Sequence, residues 1–179
     1  MDNLIAVMPA AGAGKRLGLG INKSFAKINS VPLLVHCLTM LSRTKLITRA
    51  IVVLAPDEVE EGRELLASYQ GEHFADLPFV VVAGGKERQD SVNNALAAIT
   101  ESEGYVAVHD GARPFAGKEV FERTLLATKE HGAAIAAVPV KDTIKVVNVD
   151  GEVTATPNRS TLYAVQTPQI FEVNLLKRA

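Results

Sequence analysis

Five aliphatic runs recur along the chain, at residues 4–8, 50–54, 79–82, 105–108 and 133–138, and segments with helical apolar spacing separate them. Leu33, Leu34, Cys37, Leu38 and Leu41 show that spacing. A strand that is apolar at nearly every position has to be covered on both faces. Such strands alternating with amphipathic helices predict an α/β fold, a Rossmann-like three-layer sandwich around a mostly parallel sheet. Helices are expected to start at Ser30-Val31-Pro32, at Pro56-Asp57-Glu58, near Asp90 and at Lys118, the last capped by His131-Gly132. The length of 179 residues suits a single domain spanning 1–179.

Residues 143–157 break the alternation. Asp150-Gly151 between β-branched runs predicts a hairpin. An isolated two-stranded hairpin is marginal in water, so this protruding arm is expected to pack on a second subunit. Residues 171–179 read as the opening of a helix without a stop signal, and the chain is expected to be shortened at its C-terminus.

Ligands of parallel sheets bind beyond the carboxyl ends of the strands. Residues 12–16, 84–91, 109–113 and 140–145 all follow predicted strands and are expected to gather on one edge. The first cluster, Pro9-Ala10-Ala11-Gly12-Ala13-Gly14-Lys15-Arg16, is glycine-rich and basic, and Lys23 follows. Glycines let backbone N–H groups approach a ligand, and fixed cations meet phosphate charge. That combination suits a nucleoside triphosphate. The dinucleotide fingerprint G-x-G-x-x-G would need glycine where Leu17 stands, and the Walker pattern is absent. A nicotinamide-type oxidoreductase is therefore disfavoured.

The second cluster, Gly84-Gly85 to Ser91, turns into a helix. Arg88 and Ser91 are candidates to hold ribose or phosphate; the plainer reading, Asp90 or Ser91 as a helix cap, stays open. In the third, Asp110 is the candidate ligand for Mg²⁺, which takes one or two carboxylates plus substrate phosphates. A turn-capping Asp110 is the competing reading. His109 is expected to be structural. Arg159, after the hairpin, suits bidentate contact with a phosphate, and a solvated loop arginine is the competing reading.

A net charge of −1 leaves no basic footprint for nucleic acid. No apolar run is long enough for a bilayer span, and the N-terminus lacks a signal-peptide pattern. The single Cys37 rules out an internal disulfide and a cysteine zinc cage, and it is expected to be a buried thiol. A cytoplasmic protein is the expectation.

Six motifs occur in order: P-A-A-G-A-G-K-R-L-G, N-K-S-F, G-G-K-E-R-Q-D-S-V, V-H-D-G-A-R-P-F, V-P-V-K-D-T-I-K and R-S-T-L-Y-A-V-Q-T-P-Q. Together they resemble the 2-C-methyl-D-erythritol 4-phosphate cytidylyltransferase family, from Ala6 to Phe171. The resemblance implies a nucleotide-diphospho-sugar transferase type of fold and transfer of CMP from CTP to methylerythritol phosphate in the non-mevalonate isoprenoid pathway. It implies Mg²⁺ as cofactor and a homodimer gripped through the 143–157 arm. By the same resemblance, Pro9, Ala10, Ala11, Gly12, Gly14, Gly85, Arg88, Ser91, Asp110 and Gly111 line the CTP site. Arg16 and Lys23 match the cations that offset charge on the α-phosphate, so both bind CTP and act in catalysis. Arg159 matches the group that holds the attacking phosphate, with Arg113, Thr143 and Thr167 as further substrate contacts.

The sequence departs from the family pattern at Asn22, Ser24 and Lys86, where proline, glutamine and an acidic residue are common. A ribitol-5-phosphate cytidylyltransferase, which shares the H-D-x-x-R-P and Q-T-P-Q patterns, is the nearest alternative. A non-catalytic CTP-binding or dimerisation module is the alternative of another class.

Overall fold

The computed structural model describes residues 3–12 and 22–179. The main sheet contains β1 (Leu4–Pro9), β4 (Ile47–Leu54), β5 (Phe79–Ala83), β6 (Tyr105–Val108), β7 (Ala133–Pro139) and β10 (Tyr163–Glu172). Two small hairpins, β2 (Lys27–Ile28) with β3 (Val31–Pro32) and β8 (Val146–Val147) with β9 (Val153–Ala155), stand apart from it. The helices are α1 (Leu33–Thr44), α2 (Val59–His73), α3 (Arg88–Ala97), α4 (Lys118–His131) and α5 (Val173–Arg178).

Strand order in the sheet is β5-β4-β1-β6-β10-β7. The first four are mutually parallel, and β10 runs antiparallel to both β6 and β7. The mostly parallel α/β sheet read from the sequence is therefore present. Its strands are apolar at successive positions because each parity meets a different core. Leu4, Ala6 and Met8 pack with Leu34, Leu38, Leu66 and Phe121 of α1, α2 and α4. Ile5 and Val7 pack on the other face with Ala95 and Leu96 of α3 and Val173 of α5.

Four local expectations are corrected. Ser30 does not open α1: Asn29 and Ser30 have φ of 49° and 66° and form the turn between β2 and β3, with Ile28 opposite Val31. Two left-handed residues are what a tight twisted hairpin needs. Helix α3 begins at Arg88 rather than Asp90, and its cap is Glu87, in a reciprocal capping box with Asp90. The helix ends at Ala97.

The 143–157 hairpin exists, but its turn is longer than the Asp-Gly pair. Asn148 accepts from the N–H of Gly151, Gly151 has φ of 83°, and Asn148 N–H then bonds the Glu152 carbonyl. That is a three-residue loop with a left-handed glycine at its end. The largest miss is β10. Gln166, Thr167 and Pro168 belong to none of the five aliphatic runs, yet they lie inside a strand. Its pairing with β7 jumps from Val165–Ala137 to Gln169–Ile135, and Pro168, which has no N–H to donate, falls in that irregularity. Gly132, by contrast, ends α4 with φ of 81° as expected.

Candidate functional site

Three loops leave the carboxyl ends of β1, β5 and β6 and touch one another. Backbone bonds stitch each to a neighbouring strand: Ala10 N–H to Val53 O at 2.8 Å, Gly84 N–H to Leu54 O at 2.7 Å and Gly111 N–H to Pro9 O at 3.3 Å. The contacts leave no room for side chains at three glycines, among them Gly85, where a Cβ would lie 2.1 Å from Asp90 Cβ. A Cβ on Gly84 would lie 2.8 Å from Ser91 Oγ and 3.0 Å from Ala11 Cβ. One on Gly111 would lie 2.9 Å from Ala10 Cβ. Among the described residues, nothing lies within 4 Å of a Cβ placed on Gly12.

Ser91 is buried, and its hydroxyl is committed inside its own loop. It accepts from Gly85 N–H at 3.2 Å and donates to Glu87 O at 3.1 Å. Ser91 therefore shapes the Gly84-Gly85 turn that the ligand would meet.

Asp110 is the charge centre of the edge. Arg113 Nε donates to its Oδ2 at 2.9 Å, and Arg88 Nη1 lies 2.7 Å from its Oδ1 without the alignment of a hydrogen bond. Arg113 also donates to Gln166 Oε1, and the N–H of Asp110 reaches Thr167 Oγ1 at 3.4 Å. The structure thus joins Arg88, Asp110, Arg113, Gln166 and Thr167 from three elements. Gln166 joins the cluster because β10 pairs with β6 and β7.

A buried pair sits behind this cluster. His109 is fully buried, with Nε2 2.9 Å from the carbonyl of Arg113, so Nε2–H is the donor. Burial pulls its pKa below the ordinary histidine value. It holds the backbone of Arg113, in keeping with a structural role. Burial pushes the Cys37 thiol up to about 12. The native protein is accordingly expected to resist thiol alkylation at pH 8 and to react only on unfolding, which mass spectrometry after iodoacetamide treatment would measure. Rapid labelling of the native state would contradict the burial.

Lys23 follows Asn22, whose side chain donates to the Ala10 carbonyl at 2.7 Å, so it stands beside the loop that leaves β1. Lys23 is exposed between buried Asn22 and Ser24, on a 3₁₀ turn covering Lys23–Phe25. Arg159 stands differently: its Nη1 donates to the carbonyl of Lys141 at 3.1 Å, and Thr143 is exposed on the segment that follows. Neither is tied to the Asp110 cluster by any of these bonds. Gly14 and Arg16 lie outside the described residues.

Asp110 is the carboxylate that would hold Mg²⁺, since one carboxylate suffices when phosphates complete the shell. Its oxygens face Arg88 at 2.7 Å and Arg113 at 2.9 Å, so a metal at Oδ1 would replace the ion pair with Arg88. Among the described residues, no three His, Cys, Asp or Glu side chains cluster as metal ligands. No helix there is long and apolar enough to cross a membrane.

The family model described as IspD, 2-C-methyl-D-erythritol 4-phosphate cytidylyltransferase, matches residues 4–179. The chain belongs to this family. A cytidylyltransferase of that name from Bacillus thuringiensis (strain Al Hakam) is 47% identical over 173 residues, covering 97% of this chain and 74% of the relative. One from Desulforamulus reducens is 40% identical over 179 residues, covering 100% and 75%. The crystal structure of 4-diphosphocytidyl-2C-methyl-D-erythritol synthase from Anaerococcus prevotii superposes with a TM-score of 0.81 at 32% identity, covering 99% of this chain and 73% of that one. The cytidylyltransferase family is thus supported by sequence and by fold, and the six-motif resemblance to it is borne out.

Proposed function

We propose that this chain transfers CMP from CTP to 2-C-methyl-D-erythritol 4-phosphate, giving 4-diphosphocytidyl-2-C-methyl-D-erythritol and pyrophosphate in the non-mevalonate isoprenoid pathway. The observation that carries the reading is the convergence of the Ala10–Gly12, Gly84–Ser91 and Asp110–Arg113 loops on one sheet edge in a chain of this family.

A phosphate oxygen of methylerythritol phosphate attacks the α-phosphorus of CTP. The bond from that phosphorus to the bridging oxygen breaks, and pyrophosphate leaves with the electron pair. The nucleophile is already an anion, so the step needs no general base. Its obstacle is repulsion between phosphates: unit charges about 4 Å apart interact by roughly 4 kcal/mol at an effective dielectric near 20. Lys23 and Arg16 offset that charge at the α-phosphate.

Pro9, Ala10, Ala11, Gly12 and Gly14 supply backbone to the nucleotide, and Gly85, Arg88, Ser91 and Gly111 complete its pocket. Arg113, Thr143, Arg159 and Thr167 hold the sugar phosphate. Arg159 has to exchange its bond with the Lys141 carbonyl for the ligand. Asp110 would hold Mg²⁺, which would supply charge neutralisation at the CTP phosphates.

The whole of 1–179 serves as one nucleotidyltransferase domain. The 143–157 arm, with exposed Val146, Val147, Val149 and Val153, serves a cytoplasmic homodimer. Pyrophosphate release tests the reading, with CTP, Mg²⁺ and either methylerythritol phosphate or ribitol phosphate. Release with methylerythritol phosphate alone is expected. Release with ribitol phosphate alone would overturn the substrate, and CTP binding without release from either would reduce the chain to a binding module.

A further inference from the structure

We propose that Asn22 is a positioning residue that sets the backbone from which Lys23 acts, an inference that rests on the CTP reading above. Asn22 is 6% exposed, and its carboxamide makes three hydrogen bonds. Nδ2 donates to the Ala10 carbonyl at 2.7 Å and to Glu58 Oε2 at 2.7 Å. Oδ1 accepts from Ser24 N–H at 3.0 Å. The partners fix the orientation of the amide, since two are acceptors and one is a donor.

These bonds join three places. Ala10 directly follows β1, Glu58 closes the 3₁₀ turn after β4, and Ser24 lies one residue beyond Lys23. The chain leaves the sheet at Ala10 and is returned to it by Asn22. Ser24 is 4% exposed, and the ring of Phe25 packs against the larger core. Lys23 is thus the outward residue of a turn anchored on both sides. A lysine is a flexible cation, so its reach to a phosphate depends on where its Cα is held. No other side chain is bonded both to the Ala10 end of β1 and to this turn among the described residues.

The test is a double-mutant cycle on pyrophosphate release, with Asn22→Ala, Lys23→Ala and the double variant. Asn22→Ala is expected to lower kcat roughly 10–100-fold, the scale of a displaced catalytic group. In the Lys23→Ala background the same change is expected to cost less than about twofold, because Asn22 acts through Lys23. Losses that simply multiply would mean a general structural role and overturn the proposal.

Glu58→Gln keeps an acceptor for Nδ2 and is expected to leave kcat within about twofold. Asn22→Asp preserves shape and the bond to Ser24 while losing both donors, so it covers the case in which Asn22→Ala fails to fold. It is expected to match Asn22→Ala in kcat; a wild-type kcat overturns the proposal. Amide exchange at residues 22–26 of the ligand-free protein needs no nucleotide and is expected to rise in Asn22→Asp. Unchanged exchange overturns the positioning role whatever the activity. An unmutated protein that releases no pyrophosphate overturns the function reading instead, and this inference falls with it.

Discussion

Lys23→Ala is expected to lower turnover roughly 10²–10³-fold while leaving the melting temperature close to that of the unmutated protein. The two halves of that expectation have separate causes. Lys23 is exposed, and the anchoring of its turn falls to Asn22 and Phe25, so truncation removes little packing. In the proposed reaction its charge would face phosphate charge that grows more concentrated as bonds form and break, and fixed cations are the main means of catalysis in such transfers. The loss should therefore appear in kcat more than in the affinity for CTP. Steady-state pyrophosphate release at saturating substrates, with calorimetric titration of CTP, separates the two. Near-normal kcat would remove Lys23 from the mechanism. The same argument, from resemblance alone, applies to Arg16→Ala.

What the sequence made legible follows the strength of local signals. Residues 4–8 and 50–54 are apolar at both parities, and both faces of β1 and β4 are buried, so pattern and environment agree. The Gly84 turn and the Asp110 loop were legible as chemistry because glycine, carboxylate and guanidinium stand together after apolar runs. Strand β10 was not legible. Its polar residues face loops that arrive from β6, and its proline sits at a pairing irregularity that only the partner strand defines. Asn22 was visible only as a departure from a family pattern, since its partners at Ala10 and Glu58 are brought to it by β1 and β4. Arg88 was picked out as a candidate phosphate or ribose ligand, but its contact with Asp110 depends on β5 and β6 ending at the same edge, across β4 and β1.

Asp110→Asn is the second large effect. The substitution keeps the shape of the side chain and its place after β6 but removes the negative charge between Arg88 and Arg113. Both guanidiniums are about half exposed, at 49% and 45%, so solvent screens them. The stability cost should accordingly be small, about 0–1 kcal/mol. Catalysis should suffer far more. A neutral amide is a poorer ligand for Mg²⁺ than a carboxylate, and the two arginines lose the group that orients them toward phosphate. Turnover is expected to fall roughly 10²–10³-fold, the scale of a lost transition-state contact. The Mg²⁺ concentration giving half-maximal rate should rise along with that fall. Measuring pyrophosphate release across a Mg²⁺ titration distinguishes two roles for the carboxylate. A right-shifted curve whose plateau recovers means that Asp110 chiefly holds the metal. An unshifted curve with a low plateau means that it chiefly orients Arg88 and Arg113, and the metal assignment would then fail.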